Sequence, residues 1–306
     1  MGRFILRRLL VIVPMLLVVV SLTWALIRLA PGNFYSGEKK LPAAIERNIR
    51  EKYGLDKPWY VQYGRMLSNT VRGDFGESLK YPGTTVNAIL AATLPVSATL
   101  GVLAYLLALV VGITAGTLAA LRQNSRVDYA SMTIAMLGIS MPNFVLGPLL
   151  VLVFSLTLYW FPPARWDGVF SRSMVLPVLT LSAIYMAYIS RLARAGMLEV
   201  LRSDYIRTAR AKGLSETQIV IRHAMRGGLL PVISFSGPAL AILVTGTVVV
   251  ERIFALPGVG NYFINANLNR DEPLVLGIVA FISIVILLFN LLVDVAYGFV
   301  DPRVRY

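Results

Sequence analysis

The stretch VSATLGVLAYLLALVVGITAGTLAAL, Val96–Leu121, contains no Asp, Glu, Lys, Arg or His. A helix needs about 20 apolar residues to cross the hydrocarbon layer of a membrane. At 1.5 Å per residue this one would be about 39 Å long, enough to cross with tilt. Moving outward, Leu9–Leu29 precedes it, and a long run within Tyr129–Phe161, then Met174–Ile189, Leu229–Val250 and Leu274–Val300 follow. Met174–Ile189 is the weakest of these spans, because Arg191 and Arg194 come close behind it. Pro142, Pro148 and Pro177 are expected to interrupt helices, which a membrane bundle tolerates where neighbours satisfy the freed carbonyls. The chain of 306 residues is 57% hydrophobic and only 15% charged, against about 25% charged in soluble domains. The predicted fold class is an all-α polytopic membrane protein with six transmembrane helices.

The net charge of +13 would suggest a nucleic-acid partner in a soluble protein. Here the bases lie between apolar runs, which reads as membrane topology and not as nucleic-acid binding. If the N-terminus is inside, the cytoplasmic pieces hold fifteen Lys/Arg residues, eight of them between spans four and five. The short outer loops hold only Arg165, Arg172, Arg252 and Arg270. The nine in residues 31–95 count little, because long loops translocate largely regardless of charge. Both termini are therefore expected in the cytoplasm. Arg3, Arg7 and Arg8 before an apolar core resemble a signal peptide. The core is too long for one, however, and Arg28-Leu29-Ala30-Pro31 makes a poor cleavage site, so an uncleaved anchor is expected.

This reading divides the chain into residues 1–30 (N-terminus and first span), 31–95 (an extracytoplasmic insertion between helices 1 and 2), 96–300 (the five-helix core) and 301–306 (a cytoplasmic tail). Within the insertion, Pro42–Tyr53 reads as a short helix and Gly73-Asp74-Phe75-Gly76 as a turn. A cytoplasmic loop, residues 195–228, interrupts the core. At 100° per residue Tyr205, Ile206, Ala209 and Gly213 gather on one narrow arc, with Arg207, Arg210 and Lys212 off it. Gly213 is a natural helix stop, and Ser215 with Gln218 reads as a capping box opening a second helix. Gly227-Gly228 closes that helix, and Pro231 falls in the first turn of span five. Two short helices with a small apolar face ringed by bases suit docking into another protein's groove. A basic loop lying on anionic lipid fits the same pattern, and the residues alone leave the two readings open.

Asp204-Tyr205-Ile206-Arg207-Thr208-Ala209-Arg210-Ala211-Lys212-Gly213-Leu214 resembles the "EAA" loop of binding-protein-dependent ABC import permeases, in the form of their peptide branch. Leu29-Ala30-Pro31-Gly32, Arg72-Gly73-Asp74-Phe75-Gly76, Val250-Glu251-Arg252-Ile253-Phe254, Leu256-Pro257-Gly258-Val259-Gly260, Asn269-Arg270-Asp271 and Asp301-Pro302-Arg303 extend the resemblance along the whole chain. It implies the type I ABC importer permease fold in a bacterial inner (plasma) membrane. The implied function is non-catalytic: half of a translocation pathway for oligopeptides delivered by an extracytoplasmic binding protein. The implied partners are a second, homologous permease subunit and two ATPase subunits, which bind the ATP and Mg while this chain binds no cofactor. The loop is then the ATPase-coupling element. The docking role carries to Ala209, Arg210, Ala211 and Gly213, within a loop that includes Asp204, Tyr205, Ile206, Arg207 and His223. The general family motif has Glu where Arg207 stands and Ala where Thr208 stands, so no carboxylate contact is expected at 207.

Candidates along the translocation path or gate are Gly237, Thr245, Gly246, Glu251, Asn290 and Asp294. Gly237, Thr245, Gly246 and Thr247 are small or hydroxylated and permit close helix packing. Asn290 and Asp294 share the last span, where bonding to a neighbouring helix is favoured over a pathway role. Glu251, beside Arg252, reads either as half of a structural ion pair or as part of an outer gate. The sequence has no cysteine and one histidine, His223, which excludes disulfides, thiolate sites and a histidine metal cluster. It also lacks a G-x-x-x-x-G-K-[ST] phosphate loop, a G-x-S-x-G turn and an H-E-x-x-H pair. Import of dipeptides or nickel-type chelates fits the same motifs. A rival of a different class, an ion-coupled secondary transporter, would have to rely on Asp294.

Overall fold

In the computed structural model, residues 2–30, 47, 51, 54, 56–168 and 171–300 are described. They form a bundle of helices. α1 is Gly2–Leu29, α2 Trp59–Val71, α3 Val86–Leu121, α4 Arg126–Ser140, α5 Asn143–Leu150 and α6 Val175–Leu201. Next come α7 (Asp204–Ala211) and α8, which comprises Glu216–Gln218, a π-helical turn Ile219–Ala224 and Met225–Gly228. α9 (Leu230–Val244), α10 (Val248–Ile253), α11 (Val259–Asn269) and α12 (Glu272–Val300) complete the order. Five helical stretches are long and apolar enough to cross a membrane, and α4 with α5 and the π-helical turns Val151–Thr157 that continue it counts as a sixth when the pair, bent by 105°, is taken as one span.

The bend answers to Pro142. It caps α5 in an extended conformation, and its ring disfavours a helical Met141, whose ψ is 113°. Pro148 and Pro177 lie inside helical segments and break neither. Two expected boundaries move. α3 starts at Val86, where Thr85 Oγ1 accepts the Ala88 N–H at 3.2 Å, so the division at residue 95 falls inside a helix. α6 runs on through Arg191 and Arg194 to Leu201, so residues 195–201 belong to that helix and not to the loop.

α3 and α6 run parallel and form the centre of the molecule. Small residues let the two backbones approach. A Cβ on Gly112 would lie 2.8 Å from the Ile189 side chain, and one on Gly116 would meet the Ser190 carbonyl. Leu100, Ala104, Ala108, Ile189, Ala193 and Leu243 fill the core around this seam. α4 joins through an ion pair. Arg194 Nε and Nη2 donate to the two oxygens of Asp128 at 2.6 Å each, and Asp128 also accepts the Asn124 N–H.

At the other end of the bundle, α2 lies over α1 and the start of α12. The Trp24 and Tyr63 rings sit 5.2 Å apart, Arg28 stacks over Trp24, and Arg28 donates to Gln62 and pairs with Glu272. Residues 73–76 do turn: Gly73 and Gly76 have φ of 71° and 77°, and Asn87 bonds both Gly73 and Phe75. α2 itself was not foreseen from the sequence. The helix expected over Pro42–Tyr53 lies largely outside the described residues.

Candidate functional site

At the α7 end, Ser203 adopts an extended conformation before Asp204, and α7 runs for eight residues. Gly213, with φ of 78°, takes the left-handed position just past its end. Ser215 then starts α8 with a complete capping box: its Oγ accepts the Gln218 N–H, and the Gln218 side chain accepts the Ser215 N–H. Gly227-Gly228 does close α8, and Pro231 sits in the first turn of α9. Arg210 bridges the two helices, donating to both Glu216 oxygens at 2.7 and 3.2 Å. That guanidinium holds the Glu216 carboxyl below the usual carboxylate range.

Half of the expected docking arc is already covered by the chain itself. Ile206 and Ala209 are buried and pack with Met197, Ile219, Val220, Ala224 and Ala120. The physical reason is plain: an eight-residue amphipathic helix buries its apolar stripe against the nearest apolar surface, here its own chain. Tyr205, half-exposed, stays accessible, as do Asp204, Arg207, Arg210, Ala211, Lys212 and Gly213. Arg207 pairs with Asp204. An open hollow of about 430 Å³ lies beside α7, lined by Tyr205, Thr208, Ala209, Lys212, Leu214 and His223. α7 and α8 thus form a platform whose inner face is glued to α6 and whose outer face is basic, with one aromatic ring.

Span five is not one helix. α9 stops at Val244, and the chain passes through Thr245, Gly246 (φ 100°) and Thr247 before α10 begins. Glu251 then points inward, fully buried. Its Oε1 accepts from Ser97 Oγ at 2.7 Å, while Ser97 Oγ accepts the Val259 N–H at 2.9 Å; its Oε2 accepts the Gly260 N–H at 2.9 Å. Side chains at Gly246, Gly258 and Gly260 would all strike this carboxyl group. Of the two readings left open, the ion pair fails: Arg252 turns away and donates to Asn261 at 3.1 Å. Glu251 is a bracket that fastens the 254–260 loop to α3 and to the break in span five.

Asp271, which sequence reasoning passed over as a member of a short motif, does similar work. Also fully buried, it accepts the Leu274 N–H at the start of α12, the Lys80 N–H and the Ser78 hydroxyl. An Asp three residues before an apolar run was the available signal.

Residues 112–306 match the family described as binding-protein-dependent transport system inner membrane component, and residues 1–88 match its N-terminal companion. The chain belongs to this family. The permease is 46% identical over its full length, and that of the relative, to the oligopeptide transport system permease protein OppB of Haemophilus influenzae. It is 47% identical, again end to end, to the OppB protein of Salmonella typhimurium. Among solved structures, a chain of the MetNI methionine ABC transporter in an inward-facing form superposes with a TM-score of 0.56 at 15% identity. That superposition covers 70% of this chain and 96% of the other. The permease is therefore a multi-pass inner-membrane component of an ABC importer with the type I fold, a membrane subunit that works with other permease, ATPase and binding-protein components.

The remaining candidates divide. Gly237 is buried, and an added Cβ would lie 2.9 Å from Val293 and 3.4 Å from Asn290 Oδ1, so it seats α9 on α12. Thr245 bonds its own helix through the Ile242 carbonyl. Asp294 is on α12, and its side chain lies outside what is described. The structure does not bring Glu251 together with Asn290: the first is at the α10–α11 end, the second toward the far end of α12.

Proposed function

We propose that this permease is the subunit of an oligopeptide importer that forms half of the translocation pathway. The observation that carries this is the unbroken similarity, end to end, to oligopeptide permeases. In this reading a second, homologous permease subunit forms the other half, two ATPase subunits bind ATP and Mg, and a peptide-binding protein delivers substrate to the outer face. This chain hydrolyses nothing and holds no cofactor. Both termini and the α7–α8 platform face the cytoplasm, residues 31–85 face outward, and residues 86–300 form the membrane core.

The platform is the coupling element. An ATPase subunit seats against the outer face of α7, with Tyr205, Lys212 and His223 around the hollow, Arg207 exposed on the same helix and Arg210 tied to Glu216. Its rigid attachment through Ile206 and Ala209 carries movement into α6 and α8. This arrangement supports alternating access driven by closure of the ATPase pair. The test is reconstitution of the purified complex in proteoliposomes with the binding protein and ATP. Uptake of a labelled oligopeptide is expected, with none when ATP is omitted. Uptake driven by an ion gradient without ATP would replace this reading with a secondary transporter.

A further inference from the structure

α6 exposes one face along Tyr188, Arg191, Ala195 and Glu199. The depth of Arg191 follows from what packs beside it. Gly112 on α3 is level with Ile189, and Gly116 with Ser190 and Ala193. On α4, Asp128 is level with Arg194, and Gly138 with Ala183 and Ala187. Arg191 therefore lies at the height of residues 113–115 on α3 and 130–133 on α4.

Around that height the outer surface is mostly apolar, with Thr114 on α3 and Thr133 on α4 exposed among the hydrocarbon side chains. α3 exposes Val110, Val111 and Leu118, with Leu121 beyond them, and α4 exposes Ile134. The apolar ones belong against acyl chains, and on α3 Leu118 and Leu121 continue one to two turns past Arg191 toward the α7 end. Arg194, three residues on, turns inward to Asp128. Arg191 has no hydrogen-bonding or ionic partner among the described residues. A guanidinium at this depth is not left against hydrocarbon; it reaches along its stem to the headgroup level or faces a protein or a water-filled cavity.

The neighbours on this face are polar or aromatic. The Tyr188 ring lies 5.8 Å from that of Phe235 on α9, the Tyr185 ring lies 6.2 Å from it, and Ser234, next to Phe235 in sequence, is exposed. An arginine one turn from an exposed tyrosine suits a carboxylate that must pass and leave: the guanidinium binds it through two N–H groups, and water screens the pair enough to release it.

Building on the peptide-import reading, we infer that Arg191 lines the translocation path and binds the carboxylate of the peptide in transit, with Tyr188 and Phe235 as the adjoining wall. The experiment uses the reconstituted complex and two probes, a labelled tripeptide as free acid and as C-terminal amide, both presented preloaded on the same binding protein. For Arg191→Gln, import of the free acid relative to the amide is expected to fall at least tenfold from the wild-type ratio, and Arg191→Lys is expected to restore most of it. An unchanged ratio with intact import overturns the inference. So does loss of the second permease subunit from purified Arg191→Gln complex, which would assign Arg191 to the subunit interface. If the wild-type complex imports neither probe, the peptide-import reading fails instead.

Discussion

Glu251 has no charged partner among the described residues and no exposed surface, so it persists only because the donors around it are matched. Ser97 and the Gly260 amide each supply one, and the Ser97 oxygen in turn accepts from Val259. Removing the carboxyl leaves the Gly260 N–H and the Ser97 O–H without acceptors, at about 1–3 kcal/mol for each. Glu251→Ala is therefore expected to destabilise the purified complex by about 3 kcal/mol. Glu251→Gln should lose less, since only its NH₂ opposes a donor. Thermal unfolding of the detergent-solubilised complex checks both, and equal midpoints for the two variants would contradict the bracket. Asp128 behaves differently, because its partner carries a full charge. Asp128→Asn leaves Arg194 underpaired in a partly buried position and should cost about 1–3 kcal/mol, read in the same assay. Arg194→Met in that background should recover part of the loss by removing the orphaned charge.

At the level of elements, the α6–α8 contact decides how the platform is held. Gly196 on α6 meets the Gly228 carbonyl at the end of α8, where an added Cβ has no room. Overpacking of this kind costs about 1–3 kcal/mol and shifts backbone, so Gly196→Ala should tilt α8 away from α6. The expected outcome is a complex that still assembles but hydrolyses ATP with a weakened response to the loaded binding protein. Assembly and a wild-type response together would show that the contact is not needed. This contact was invisible in the sequence, because glycine at 196 reads as any small residue in a helix. Capping of α8 by Ser215 and Gln218 was legible, since it depends on residues three apart. The spans were legible too, because apolar length is a one-dimensional property. Their ends were not: Thr85 extends α3 by a local cap, and the Thr245–Thr247 break depends on Glu251 and Val259 packing around Gly246. The same limit explains the docking arc. Periodicity identified Ile206 and Ala209 as one apolar face, but only the position of α8 shows that this face is already occupied.

For the whole molecule, the two faces of α7 have separable jobs, and that separation is measurable. The inner face joins α7 to the membrane core, so a charge placed there is buried without a partner. Ile206→Asp is expected to lower the stability of the permease itself and reduce its yield from membranes. The outer face meets the ATPase subunit in the proposed assembly, so charge reversal there leaves the permease folded and removes a contact. Lys212→Glu and Tyr205→Asp should keep the wild-type melting midpoint while losing at least tenfold in affinity for the ATPase subunit, about 1.4 kcal/mol. Copurification at increasing salt reads the affinity. The basic rim should make wild-type binding salt-sensitive, since exposed charges are screened over about 10 Å at 0.1 M. Glu216→Gln is a further control on the platform. Arg210 holds the Glu216 carboxyl low, so the pair is intact at neutral pH and is lost only as pH falls through that lowered value. Coupling should therefore be insensitive to this carboxyl between pH 6 and 8, about the physiological range, and wild type and Glu216→Gln should show parallel pH profiles there. If Lys212→Glu and Tyr205→Asp instead bind the ATPase as wild type does, the contact lies elsewhere on the cytoplasmic surface. α7 would then be only a brace between α6 and α8.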